Sequence, residues 1–229
     1  MTTRSRDAAT VVLARDSATG GIDVWMLKRI GTLKFAPHAH VFPGGAVDAR
    51  DSELFPLAGA PLIQVASVMD VEPLKANQLM AAAVRETFEE SGIVLASNQH
   101  PTTWSEQDRQ DILLGRTSIA QLLNREQAHV HSEDLIPWAW WLTPDYVPFR
   151  FDTWFFFAPV RADVEPRYVP EGEAVEARWW KVDEALEANR SGEIMLLWPT
   201  LRVLLDLNQW SSVSEAVSHR PVRLEQQSG

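Results

Sequence analysis

The chain contains no cysteine, so it can form neither disulfides nor thiolate metal sites. That absence suits a reducing compartment, and a cytoplasmic location is the expectation. Long apolar runs are missing too. Val11-Val12-Leu13, set between Arg6 and Arg15, is too short for the apolar segment of a secretory leader and reads as a first strand. No later run approaches a membrane span. The final residues, Gln226-Gln227-Ser228-Gly229, do not spell a Ser-Lys-Leu peroxisomal address. Basic residues are scarce beside acidic ones, 21 against 31, for a net charge of −10. A field of that sign argues against a general nucleic-acid binder, which relies on clustered Lys and Arg for counterion release. It also means that any phosphate-handling site here needs divalent cations, helped by nearby arginines, to receive a polyanion.

What is present suffices for one domain with a substantial core: 229 residues, 45% of them apolar. Strand-like segments run from Thr10 to Ala14, Val24 to Lys28, Val41 to Phe42, Trp138 to Leu142, Trp154 to Val160 and Val175 to Val182. Helical periodicity covers Leu74 to Ser91, Asp183 to Ser191 and Pro199 to Leu207, with Gly92 and Gly192 placed as helix ends. This mixture predicts an α/β or α+β fold.

The densest chemistry lies in Arg85-Glu86-Thr87-Phe88-Glu89-Glu90-Ser91-Gly92-Ile93. On a helix, Glu86, Glu89 and Glu90 fall within an arc of roughly 100°. Such stacking of like charge is either screened by water or used to hold a divalent cation. Ala81, Val84 and Phe88 occupy the other side, which predicts an anchored helix whose carboxylates point away from the core. Upstream, Phe42-Pro43-Gly44-Gly45 is a glycine turn whose main-chain N–H groups can meet oxyanions.

A glycine turn followed by Arg-Glu-x-x-Glu-Glu-x-Gly resembles the Nudix box of hydrolases acting on nucleoside diphosphates linked to another group. Gly45, Arg85, Glu86, Glu89, Glu90, Gly92 and Ile93 match the family pattern. Three features depart from it. Asp51 stands where a glutamate is usual, Thr87 replaces a more apolar residue, and the arginine stands at 85 rather than 59, after 26 inserted residues. A loop that leaves and returns to one place costs little extra entropy as it lengthens, so the interruption does not forbid the site. The insertion, together with His38 to Gly45, Trp141-Leu142-Thr143-Pro144 and Arg150-Phe151-Asp152-Thr153, resembles an insert-bearing Nudix subgroup that includes a peroxisomal coenzyme A diphosphatase.

The resemblance implies an α/β/α sandwich with a mixed sheet, spanning residues 1–229 as a single domain. Residues 52–78 form the insertion and 192–229 a C-terminal helical segment and tail. The insertion carries Pro56, Pro61 and Pro73 among Leu54, Phe55, Leu57, Leu62, Ile63 and Val65, and is expected to pack beside the cleft or against a partner subunit. A homodimer therefore stays open. A polar segment from Pro101 to Asp134 is expected to be helical. The resemblance further implies a pyrophosphohydrolase using Mg²⁺ or Mn²⁺ on a small nucleoside-diphosphate substrate, without nucleic acid or membrane as partner. Coenzyme A or an acyl-CoA is the favoured substrate. An ADP-ribose or NADH-type dinucleotide, or a sensor that binds without turnover, is the alternative.

Glu86, Glu89 and Glu90 are the expected metal ligands and, with Arg85 as orienting residue, the catalytic set. The general base stays open among Glu86, Glu89 and a loop acid such as Glu173. Glu171, Glu173 and Glu176 offer such an acid, with Glu173 the fourth metal candidate, or else they form an exposed strand edge. Gly44, Gly45, Arg29 and Arg150 are the expected substrate-binding residues. Arg150 and Asp152 read as an ion pair or a phosphate contact, and Asp51 as a structural or outer-sphere acid or a turn residue. His38 and His40, one residue apart, read as a turn and a strand histidine rather than metal ligands, lacking a third nitrogen nearby. Of the ten tryptophans, one or two can stack on an adenine and the rest belong to the core.

Overall fold

The computed structural model of the chain describes residues 5–32, 36–97, 104–147, 149–167 and 173–219. The spine is β1 (Arg6–Asp16), whose neighbours alternate between two apolar clusters. Ala9, Val11 and Leu13 enter one cluster, Val12 and Ala14 the other. A strand covered on both faces needs no polar alternation, which is why Val11 to Ala14 is continuously apolar. A tight turn leads to β2 (Ile22–Arg29), antiparallel to β1 over its first residues. The short strands β3 (Ala39–Val41) and β4 (Gly44–Ala46) follow, joined through Phe42 and Pro43.

Next come a 3₁₀ turn (Ala49–Ser52), β5 (Leu57–Ala58), α1 (Leu62–Met69) and α2 (Pro73–Ser91). Proline opens α2, where a missing N–H costs nothing, and Gly92 at φ +74° closes it. Beyond stand α3 (Glu106–Leu113), α4 (Ile119–Arg125), β6 (Val130–His131), β7 (Ile136–Leu142) and β8 (Phe151–Pro159). The described chain is completed by β9 (Ala174–Lys181), α5 (Val182–Ser191), β10 (Met195–Leu196), α6 (Trp198–Leu207) and α7 (Val213–Ser218).

The main sheet runs β10-β3-β2-β1-β8-β7, with β4 on β1 and β9 on β2. It is mixed. β8 lies parallel to β1, from Arg6 beside Phe151 to Ala14 beside Pro159, while the β1, β2, β3 and β9 pairings are antiparallel. One face packs against α1, α2, α3 and α4, the other against α5, α6 and α7. The expected α/β/α sandwich is therefore observed.

The expected strands and helices all appear, with shifted ends. The segment expected at Val41 to Phe42 is β3 at Ala39–Val41, and β4 was not foreseen. The insertion contains α1, whose Val65, Ala66 and Met69 are buried against α2, and β5, which pairs in parallel with β6. It packs on the Pro101–Asp134 segment of the same chain, whose described part forms α3, α4 and β6. Pro101 to Thr103, the tail Gln226 to Gly229 and Glu171 lie outside the described residues. Among the described residues no helix is long and apolar enough to cross a membrane.

Candidate active site

The centre of the site is Arg85, in the fourth turn of α2, and all five of its N–H groups are used. Nε and one Nη donate to the two oxygens of Asp51, each at 3.0 Å. The same Nη reaches the Ala46 carbonyl at 3.1 Å. The other Nη donates to Glu86 at 2.8 Å and Glu89 at 3.0 Å. Only a planar, multiply donating cation can join three carboxylates and a carbonyl this way, so lysine would not substitute.

Asp51 thus proves structural. It is 1% exposed, accepts the Asp48 N–H at 2.7 Å, and closes a capping box on the 3₁₀ turn. The insertion returns to the same place because Asn77 of α2 donates to the carbonyls of Asp51 and Glu53, at 3.2 and 3.0 Å. Gln78 adds a bond to Ser52. The interrupted halves of the box are therefore stitched together at the insertion's neck.

Gly44 and Gly45 sit against this cluster, as expected. The Gly44 N–H donates to Glu90 at 3.0 Å. A Cβ on Gly45 would stand 2.3 Å from a Glu86 oxygen, and one on Gly44 would stand 2.4 Å from the Ala9 carbonyl. Neither position admits a side chain unless the site shifts. The departure at Thr87 is also explained: it is fully buried, and its hydroxyl donates to the Ala83 carbonyl at 2.8 Å.

One expectation is corrected. The carboxylates do not point away from the core: Glu89 is 8% and Glu90 7% exposed. β4 and the 3₁₀ turn cover the helix face that a wheel of α2 alone leaves open. Burial consequently dominates their titration. It pushes Glu89 up to about 7, against the opposing pull of Arg85. Glu90 is raised well above the usual carboxylate range by burial and by Glu86, and Glu86 itself is raised by burial. Four acids crowd this spot, three of them (Asp51, Glu86, Glu89) on one guanidinium and Glu90 on the Gly44 N–H, so carboxyl groups outnumber the cation that could pair with them.

Glu173 is exposed, beside the cluster, and its charge adds to the raising of Glu86 and Glu90. Glu176 is not at the site; it lies with His40 and Arg178 on the other face of the sheet. Arg29 ends β2, and its Nε is buried without a hydrogen-bond partner. Arg150 is placed elsewhere, in the β7–β8 connection, bonded to the Thr143 carbonyl and paired with Asp145. Arg150 and Asp152 do not pair with each other. Asp152 instead receives Lys75 at 2.9 Å and the Trp140 indole N–H. His38 stands in a turn at φ +63°, and His40 is buried against Trp180. Trp138 is core, and Arg15 and Arg178 cover Trp179 and Trp180.

Sequence reasoning missed Arg50, Asn77 and Asp48. Their only signal is proximity to Asp51 and Arg85 along the chain, since none belongs to the box pattern.

Among the described residues no three acidic or histidine side chains stand ready as a complete cation cage. The donor set nevertheless fits a hard divalent cation. Mg²⁺ takes oxygen ligands, keeps several waters and is commonly held by one or two carboxylates plus phosphate oxygens. Surplus buried carboxylate charge is what such an ion would offset.

No protein-family model matches the chain. It is 29% identical over 210 residues to "Putative nudix hydrolase 7" of Caenorhabditis elegans, covering 91% of this chain and 62% of the relative. It is 27% identical over 239 residues to "Acyl-coenzyme A diphosphatase NUDT19" of Xenopus laevis, covering 86% and 62%. The chain thus spans about three-fifths of the length of these two curated relatives. Among solved structures it resembles a NUDIX hydrolase from Alicyclobacillus acidocaldarius, with 28% identity, a TM-score of 0.79, and 97% and 99% of the two chains covered. With that architecture over nearly its whole length, and with the glycine turn and acidic helix joined through Arg85, the chain has the Nudix hydrolase fold and is similar in sequence to Nudix hydrolases.

Proposed function

We propose that the chain hydrolyses a diphosphate linkage in a nucleoside-diphosphate derivative, with coenzyme A or an acyl-CoA as the favoured substrate. The observation that carries this is the buried Glu86-Glu89-Glu90 cluster, held by Arg85 against the Gly44-Gly45 backbone. The two relatives named acyl-coenzyme A diphosphatase or nudix hydrolase support the substrate class. Mg²⁺ or Mn²⁺ would be held by Glu86, Glu89 and Glu90, with Glu173 at the edge. When bound, such an ion neutralises diphosphate charge and acidifies water.

The residues supply the rest. Arg85 fixes the orientation of Glu86 and Glu89, so they need no rearrangement when substrate arrives. The glycines let the phosphates approach the main chain, which a Cβ would block. Glu89, titrating near neutrality, can accept a proton from an attacking water, the Brønsted condition for a general base. Water then attacks one phosphorus, the bridging P–O bond breaks, and two phosphomonoesters leave.

The test is product release from coenzyme A, an acyl-CoA, ADP-ribose and NADH, each with Mg²⁺, Mn²⁺ or EDTA. Cation-dependent cleavage fastest on the coenzyme A compounds is the expected result. Faster cleavage of ADP-ribose or NADH would move the substrate assignment. Tight binding without turnover of any would replace the enzyme by a sensor. The cysteine-free composition suits a cytoplasmic setting for it.

A further inference from the structure

Arg50 lies outside the box pattern, yet it touches both structures that fix the site. Its backbone N–H and its Nε–H donate to one oxygen of Asp48, at 2.8 and 2.9 Å, and one Nη reaches the other oxygen at 3.3 Å. The second Nη donates to the carbonyls of Ile112 at 2.8 Å and Thr117 at 3.4 Å, which bracket the α3–α4 loop. In that loop Gly115 takes φ +68°, and a Cβ there would stand 3.3 Å from the guanidinium. Inward, the chain of contacts continues from Asp48 N–H to Asp51, and from Asp51 to Arg85. A planar fork held by a carboxylate on one side and carbonyls on the other is a rigid strut.

We propose that Arg50 is a positioning residue: it fixes Asp51, and through it Arg85, Glu86 and Glu89, relative to the α3–α4 loop. For its effect on turnover the inference rests on the diphosphatase reading above; for its effect on Arg85 it does not. Without Arg50 the Asp48 carboxylate loses its cation and the 3₁₀ turn loses its tie to the loop. The Asp48 main chain that donates to Asp51 is then less constrained, and with it the seat of Arg85. Displacements of an ångström at a reacting centre cost about 100-fold in rate, so smaller ones remain readable.

The experiment compares Arg50→Ala, Arg50→Lys and Arg125→Ala in the full chain. Arg125→Ala cuts the pairs to Asp108 and Glu126 in the same satellite without touching Arg50. Four quantities are read: the melting temperature, Mn²⁺ affinity without substrate, the Arg85 Nε–H resonance by ¹⁵N NMR, and kcat with KM. Arg50→Ala should shift or broaden that resonance, weaken Mn²⁺ binding, and lower kcat by about 10-fold while KM changes by less than about threefold. Lysine keeps the charge but not the fork, so Arg50→Lys should recover only part of each loss. Arg125→Ala should lower the melting temperature alone. Combined with Asp51→Asn, Arg50→Ala should add little, because both act through one contact chain.

The proposal is overturned if Arg50→Ala lowers only the melting temperature, as Arg125→Ala does, or if its effect adds fully to that of Asp51→Asn. Should Arg50→Ala not fold, Arg50→Lys carries the same comparison. If the unmodified chain cleaves no diphosphate, the functional reading fails, while the resonance and Mn²⁺ affinity still decide this one.

Discussion

Every N–H of Arg85 has an acceptor, and this divides the neighbouring acids into distinct roles. Asp51 anchors the guanidinium, Glu86 and Glu89 share its outer nitrogen, and Glu90 is held by the Gly44 main chain. Replacing Glu89 by Gln preserves shape and an acceptor for Arg85 but removes the charge. Turnover of the preferred diphosphate should fall by about 100-fold or more, with the melting temperature nearly unchanged. A variant that kept its kcat would show that Glu89 takes no part in the chemistry. The raised Glu89 also sets a pH dependence. Its carboxyl is near 4.5 when unfolded and about 7 when folded, so the folded state holds the proton more tightly. That contribution to stability is complete below about pH 4.5 and is lost as the pH rises through about 7. Thermal melts of the cation-free chain should decline from pH 5 to pH 8. Mn²⁺ affinity should rise over the same window, because the ligand must give up its proton.

At the scale of the elements, α2 works because it is enclosed rather than because it is amphipathic. From Leu79 to Val84 every side chain is fully buried, between β1 on one side and α1, α3 and α4 on the others. The helix and its motif were legible because Arg85 to Ile93 states its own chemistry. The direction of the carboxylates was not, since a helical wheel knows nothing of a three-residue strand lying over it. β4 and β10 carry no periodicity, and their partners lie far off in sequence. Arg150, expected to meet substrate, is held by Asp145 and the Thr143 carbonyl in the β7–β8 connection, contacts that its motif does not announce. Two substitutions test the element contacts. Gly45→Ala drives a methyl against Glu86, so activity should fall at least about tenfold while circular dichroism shows the fold retained. Asn77→Ala leaves the Asp51 and Glu53 carbonyls without their donor, and denaturant melts should show a loss of about 1–3 kcal/mol.

For the molecule as a whole, the two apolar layers make the sheet a rigid floor, while the acidic cluster under β4 carries charge that folding alone does not offset. A bound cation should therefore stabilise the entire chain. At a concentration 100 times its dissociation constant, Mg²⁺ or Mn²⁺ should add about 2.7 kcal/mol, visible as a higher melting temperature that EDTA reverses. An unchanged midpoint across that titration would remove the cation from the account.

The pairing of β1 with β8 has a consequence for biosynthesis. Arg6 to Ala14 meets its parallel neighbour only after residues 151–159 have been translated. At roughly 5–20 residues per second that delay is about 7–30 s. Throughout it the nascent chain carries an apolar ribbon with one edge unpaired, the kind of surface that holdase chaperones protect and that aggregates when they are absent.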